Sequence, residues 1–331
     1  MIRWTGGRVR RMKIQISRTA RTIAQSLAAI LVVALVVYFF KNQFIRNWDQ
    51  LRSARFSINY LFLSLSAICM LLSYLVVTAM WRHGVNLHAK QRGFSFAESI
   101  GMVNTTQLTK YIPGKVWGYA MQMVFVDRGS VPVSAVLSVN LLLALSNSFI
   151  ALIVGGVYFS FSSILVPRSI TIAATLLLLL VYVFFVLFNS RFFTLLIRVS
   201  GKILKKSIHS YEIGLADMLR LQALSLVATA AFGLSALLCT RGIGFVPTVQ
   251  VGWSIFAGFV FADTVGFLAF FVPGGIGIRE GIFYLTLREY GAGPLALILP
   301  IAIRLVSMLV DAILGGLGAV FLRKYMKKGT Q

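Results

Sequence analysis

FVPGGIGIREG, residues 271–281, sets a proline, four glycines and an Arg279–Glu280 pair inside the most apolar third of the chain. A broken backbone at membrane depth frees N–H and C=O groups that cost several kcal/mol each when they face hydrocarbon, so such a break persists only inside protein or beside a wet cavity. A second stretch, KYIPGKVWG at residues 110–118, follows the same pattern. Pro113 and Pro273 lack an N–H and suit a helix start, while Gly114 and Gly274 permit a tight turn. Each resumed helix is expected to aim its N-terminus, the positive end of its dipole, at the middle of the bilayer.

The surroundings supply the bilayer. Of 331 residues, 58% are hydrophobic and 12% charged, and the mean hydropathy is +0.84. These values exclude a soluble globular domain and fit a polytopic membrane protein. Six segments read as plain spans: about 23–40, 56–80, 132–158, 168–188, 218–240 and 293–322. Residues 94–128 and 251–290, broken at their Pro-Gly pairs, read as hairpins that enter and leave on one side. The expected fold class is all-α and polytopic, with about six transmembrane helices plus two re-entrant broken-helix hairpins in an inverted-topology repeat. The run at 23–40 follows seven basic residues, as in a signal peptide, but no small-residue cleavage site follows it, so it is expected to stay as an anchor.

Charge placement tests this topology. The chain holds 32 Lys+Arg against 9 Asp+Glu. With the N-terminus inside, segments 1–21, 81–93, 189–220 and 323–331 carry twenty basic residues, and the external connections carry seven. That is the positive-inside pattern; it accounts for most of the excess without nucleic acid and puts both termini on the cytoplasmic side of the cell membrane. The chain divides into a basic N-terminus (1–22), a first half (23–188), an amphipathic cytoplasmic segment (189–217), a second half (218–322) and a basic tail (323–331). Trp81 and Trp253, near span ends, read as interfacial aromatics. Cys69 and Cys239 lie in apolar helices, and His83, His88 and His209 lack ligand spacing, so no disulfide, metal site or cofactor is expected.

A shift of 160 residues superimposes Pro113-Gly114 on Pro273-Gly274, Phe96-Ala97 on Phe256-Ala257 and Leu108 on Leu268. The same shift aligns the spans at 56–80 and 132–158 with those at 218–240 and 293–322. Each half contributes three crossings and one hairpin, an odd number, so the second half is expected upside down. Two opposed helix N-termini near a pseudo-two-fold axis suit an anion, with Lys115 and Arg279 adding full charge and Glu280 as counter-charge. Pro113, Gly114, Pro273, Gly274, Gly275 and Gly277 shape the backbone of this expected site, and Asn104 and Lys110 belong to the polar first hairpin beside it. The alternative is an ordinary interhelical turn with Arg279 and Glu280 at the membrane interface.

Asp263 lies mid-helix before the second break. Arg304, Ser307, Asp311, Gly315 and Gly318 share one helical stripe. Charges at such depth cost about 2.5–3.5 kcal/mol each on insertion scales, so Asp263, Arg304 and Asp311 are expected to face the bundle interior and pair, either fixing helix register or taking a direct part in transport, with protonation of Glu280 or Asp263 as the coupling step. Asn140 and Asn147, seven apart on one face, read as interhelical hydrogen-bonding groups.

KYIPGKVWG and FVPGGIGIREG resemble the two signature stretches of the lysylphosphatidylglycerol synthase transmembrane family, also called the flippase-like domain family. The resemblance runs from about residue 23 to 325, and its matched positions are Pro113, Gly114, Lys115, Pro273, Gly274, Gly275, Gly277, Arg279 and Glu280. It implies translocation of a lipid. In the family's best-known members this domain moves aminoacylated phosphatidylglycerol and precedes an aminoacyl-transferase domain. The chain, ending in KYMKKGTQ, is expected to lack that domain. The resemblance then points to envelope or polysaccharide assembly, where stand-alone members are found.

The leading expectation is a translocase for an anionic phospholipid or a polyprenyl-phosphate-linked sugar. With no nucleotide-binding loop in the sequence, it would run downhill or on an ion gradient. The rivals are a secondary transporter of a small anion and an accessory membrane subunit of a glycolipid or glycan transferase. An enzyme is disfavoured because no nucleophile–base pair, Asp-rich metal motif or His cluster is legible, so no catalytic residue is assigned. Expected partners are the lipid cargo and membrane lipids, and a homo-oligomer is compatible with these features.

Overall fold

The computed structural model describes residue 45 and residues 57–89, 93–111, 117–126, 131–162, 167–189, 213–269, 272, 275, 277–288 and 293–328. The expected first span at 23–40, the amphipathic segment at 190–210, and Pro113, Gly114, Lys115, Pro273 and Gly274 lie outside the described residues.

Local chemistry starts several helices. Asn59 accepts the N–H groups of Leu61 (3.1 Å) and Phe62 (3.4 Å) and opens α1, Tyr60–Asn86. Ser95-Phe96-Ala97-Glu98 is a capping box: the Ser95 hydroxyl accepts from Glu98 N–H, and the Glu98 carboxylate accepts from Ser95 N–H at 2.8 Å. This box opens α2, Phe96–Gln107, which ends in a 3-10 turn, Leu108–Tyr111. Next come α3 (Trp117–Phe125), α4 (Val133–Phe161), α5 (Arg168–Leu187) and α6 (Leu215–Gly242). Thr248 caps α7, Val249–Leu268, and α8 (Ile278–Arg288) and α9 (Gly293–Lys328) follow.

No strand occurs among the described residues, and six of their helices, α1, α4, α5, α6, α7 and α9, are long and apolar enough to cross a bilayer. The protein is an all-α, multi-pass membrane protein. Five of the six fall on expected spans. The sixth, α7, corresponds to the first limb of the second expected hairpin; at 20 residues, with Asp263 its sole charge, it is long enough to cross unaided.

By contrast α2, α3 and α8, of 12, 9 and 11 residues, reach only about 18, 14 and 17 Å at 1.5 Å per residue. None of them crosses a hydrocarbon core of about 30 Å. Such short limbs need protein around them. Helix α2 packs on α9, where Gly101 and Gly318 bring backbones together: a Cβ on Gly101 would stand 2.8 Å from Leu322 N and 3.2 Å from Gly318 O. Helix α8 packs on α7 and α9, with Gly258 and Gly266 of α7 turned toward Thr286 and Arg279 of α8.

Helices α1 and α6 run antiparallel along each other. Asn59 N donates to Gly242 O (2.8 Å), Ser66 Oγ to Ser235 O (2.7 Å) and Ser73 Oγ to Ala228 O (2.8 Å), so one index rises as the other falls. Shifting α3 and α4 by 160 residues sets their starts, 117 and 133, at 277 and 293, where α8 and α9 begin at 278 and 293. The packing follows the same exchange: α2 lies on α9 as α7 lies on α4.

Two apolar cores form. One gathers Trp81, Met102, Val136, Leu142, Phe185 and Met218, from the end of α1, α2, the start of α4, the end of α5 and the start of α6. The other gathers Met70, Cys239, Phe259, Phe283 and Leu299, from the start of α1, the end of α6 and the region of α7 to α9. Trp81 corrects the interfacial expectation: it is 1% exposed because its Nε1–H has a buried acceptor in Gln122 (3.2 Å) and its ring packs on Phe94. Trp253 faces outward and stacks on Phe256.

Candidate functional site

Between the two cores lies a cavity of about 350 Å³. It opens at mid-length of the crossing helices, against Ser73 and Tyr74 of α1, Asn147 and Ser148 of α4, and Ala228 and Thr229 of α6. From the short limbs come Gln107, Lys110, Tyr119 and Gln122, and from the second half Asp263, Thr264, Arg279, Arg304 and Ser307.

The GIGIRE string explains how the charges get there. Gly277 has φ +85° and Gly275 φ +67°, both in the left-handed region that glycine occupies without strain. Gly277 N–H then donates to Glu280 Oε2 at 2.6 Å, the backward half of a capping box, and α8 starts at Ile278. The α8 N-terminus is thus met by a carboxylate of its own chain, which the helix dipole favours. Close packing sets its position: Gly275 lies against Gly266 of α7, and Arg279 Cβ would stand 3.1 Å from a Cβ on Gly266.

Arg279 points across to α7, where Nη1 meets Asp263 Oδ1 at 2.5 Å, and its guanidinium lies 5.9 Å from the Phe259 ring centroid. Glu280 Oε1 sits 3.4 Å from Arg304 Nη1 of α9 and 3.9 Å from Arg279 Nε. Lys110, in the turn after α2, reaches Asp311 of α9 with Nζ 2.8 and 2.7 Å from its two oxygens and lies over the Tyr74 ring. Three cations therefore meet three carboxylates, and Asp311, 5% exposed, is the most enclosed of the six.

The polar stripe on α9 divides its work. Arg304 and Ser307 line the cavity and Asp311 holds Lys110, while Gly315 and Gly318 receive Leu108 and Thr105. Asn140 and Asn147 make the interhelical bonds expected of them: Asn140 Nδ2 donates to Gln122 Oε1 (2.7 Å), and Ser225 Oγ donates to Asn147 Oδ1. Asn104 is the exception among the described site residues of the first half. It does not line the cavity; buried at 3% exposure, it donates to Thr78 Oγ1 at 3.0 Å, because its place on α2 turns it toward α1.

Sequence reasoning passed over Gln122. Its Oε1 accepts from Trp81 and Asn140, and its Nε2 donates to Thr106 Oγ1 at 3.0 Å, so one amide ties α1, α2, α3 and α4 together beside the cavity. A lone amide in the apolar run WGYAMQMVF just past a break was the available signal. Tyr74 and Tyr119 had none, since an aromatic in a spanning helix is unexceptional.

Among the described residues no group of His, Cys, Asp and Glu is placed to hold a metal ion. The cluster can offer guanidinium and ammonium groups to an anion, with carboxylates close enough to compete for them.

No curated protein and no solved structure matches the chain. The family model described as the lysylphosphatidylglycerol synthase TM region matches residues 26–315, which takes in both Pro-Gly breaks and all six charged residues of the ion-pair cluster. On that match, the chain belongs to the lysylphosphatidylglycerol synthase transmembrane family.

Proposed function

We propose that the protein is a lipid translocase of the cytoplasmic membrane, moving an anionic phospholipid or a polyprenyl-phosphate-linked sugar between leaflets for envelope or polysaccharide assembly. One observation carries the reading: three cation–carboxylate pairs converge on a cavity between two apolar cores, midway along the crossing helices. Each buried charge costs about 2.5–3.5 kcal/mol on insertion scales. Replacing buried ion pairs by apolar side chains is often neutral or stabilising, so packing alone gives little reason to retain three of them. A polar cargo does.

Size favours a head group as that cargo. About 350 Å³ is near the lower end of the roughly 300–1,000 Å³ typical of ligand sites, enough for a phosphate and its substituent while the tails stay in lipid. We read the halves as an inverted repeat, supported by the antiparallel run of α1 and α6 and by the 160-residue exchange of packing partners. Rocking of one half against the other would then alternate access to the fixed site. The basic termini are assigned to the cytoplasm on the positive-inside pattern.

The test is facilitated flipping of acyl-labelled phosphatidylglycerol in liposomes holding the purified chain. Arg279→Ala is expected to lower the rate at least about tenfold, the loss of one charge-assisted contact of roughly 1.5–3 kcal/mol. An unchanged rate in a folded variant removes the cluster from the mechanism.

A further inference from the structure

Resting on that reading, we propose that Glu280 carries one proton with each phosphodiester anion, so that transport is an electroneutral symport. The charge count leads there. Among the described residues, Lys110, Arg279, Arg304 and Asp263 line the cavity, Glu280 and Asp311 stand behind them in ion pairs with Arg304 and Lys110, and over this cluster three cations balance three carboxylates. A phosphodiester brings one negative charge. Held among these six groups it leaves the cluster at minus one, and an uncompensated charge in a buried site is strongly unfavourable. One proton taken from water onto a carboxylate restores the balance, and its release with the anion on the other side resets the site.

Geometry selects the carboxylate. Asp263 is engaged by Arg279 at 2.5 Å, and both oxygens of Asp311 lie within 2.8 Å of Lys110 Nζ. Glu280 stands 3.4 and 3.9 Å from Arg304 and Arg279, outside the roughly 2.7–2.9 Å of strong charge-assisted bonds. It is also the group lying between the two guanidinium groups, where a phosphate would bridge them. With the proton on Oε1, the oxygen facing the arginines, Oε2 still accepts Gly277 N–H, so α8 keeps its start. The phosphate then takes the place of the carboxylate charge. The charged and titratable neighbours are Asp263 from α7, Arg279 from α8 itself, Arg304 and Asp311 from α9, Lys110 from the turn after α2, and Tyr74 from α1, which lines the same cavity.

The experiment uses the full chain in phosphatidylcholine liposomes with acyl-labelled phosphatidylglycerol, an entrapped pH dye and the membrane voltage clamped at zero. The flipping rate is expected to fall about tenfold per pH unit on its alkaline limb, as a single required proton dictates. A gradient of about one pH unit should enrich the labelled lipid toward the alkaline leaflet by up to about tenfold, with one proton moved per lipid. Glu280→Gln should flatten the pH profile and abolish the gradient response. If that variant does not fold, the wild-type gradient measurement decides alone. Flipping that ignores both pH and gradient overturns the proton role and leaves the translocase standing. A parallel arm offers soluble glycerophosphoglycerol. Its uptake without lipid flipping refutes the lipid reading, and the gradient response of that uptake still decides the role of Glu280. Transport of neither probe overturns the phospholipid reading and the proton role that rests on it.

Discussion

Gly275→Ala and Gly281→Ala, six residues apart in one signature stretch, should have opposite effects. At Gly275 the backbone is left-handed, φ +67°, which costs a non-glycine residue roughly 1–2 kcal/mol. The new methyl would also stand 2.9 Å from Gly266 O and 3.0 Å from Gly266 C and Cα. Those atoms are backbone in the last turn of α7 and cannot rotate away, so overpacking adds about 1–3 kcal/mol. The sum is roughly 2–5 kcal/mol of destabilisation. At Gly281, inside α8, nothing lies within 4 Å of a Cβ, and alanine should gain about 0.5–1 kcal/mol through helix propensity. Unfolding in detergent, followed by tryptophan fluorescence, should show the midpoint falling for Gly275→Ala and rising for Gly281→Ala. On the translocase reading, Gly275→Ala below its midpoint should flip lipid more slowly than the unaltered chain, because spreading α7 from α8 moves Arg279 off Asp263. Equal shifts for the two variants, or a neutral Gly275→Ala, would refute the close approach of the break to α7 on which the site geometry rests.

Two further substitutions probe the surroundings. Lys110→Ala removes the cation 2.7 Å from Asp311. It should cost about 2–3 kcal/mol, less than the 3–5 typical of a fully buried pair because Lys110 is partly exposed, and the swap Lys110→Asp with Asp311→Lys should restore at least half of it in a double-mutant cycle. Gln122→Leu leaves the Trp81 indole N–H and the Asn140 amide without their shared acceptor. A loss of about 2–3 kcal/mol is expected, read as a lower unfolding midpoint with a shifted Trp81 emission, and an unshifted midpoint would show that the amide bridge is dispensable.

The spans were legible because lipid imposes one rule, about 20 apolar residues in a row, and α1, α4, α5, α6 and α9 obey it. The pairing of Asp263, Arg304 and Asp311 was legible for the same reason, since a charge at that depth must find a partner. Which partner was not. Asp263 meets Arg279 and Asp311 meets Lys110, 201 residues away, and no local pattern encodes a contact set by how α2 lies on α9. Glu280 shows the finer limit. Its role as counter-charge can be argued from composition, but its bond to Gly277 N–H depends on a left-handed glycine whose φ only coordinates reveal. Trp81 went astray: position near a helix end suggested the interface, while tight packing of α1, α2 and α3 turned it inward, as it turns Asn104 toward Thr78.

The halves correspond in backbone more than in chemistry, and the difference locates the cargo. Shifted back by 160 residues, Asp263, Arg279, Arg304 and Asp311 fall on Val103, Tyr119, Ala144 and Ala151, all of which line the same cavity. Charge from the described part of the first half enters the cavity through Lys110 alone, and its equivalent in the second half is Phe270. An anion sharing the cavity equally between two like half-sites is therefore disfavoured, since one wall carries two arginines where the equivalent positions of the other carry an aromatic ring and a small side chain, with Lys110 as the described cation there. Under the translocase reading, the phosphate belongs off the pseudo-axis, at the α8 start, and the uncharged remainder of the head group against Tyr119, Gln107 and Asn147. Such a division makes the charged wall the part that must change state in each cycle, which is why the proton is assigned to Glu280 and not to a residue of the first half.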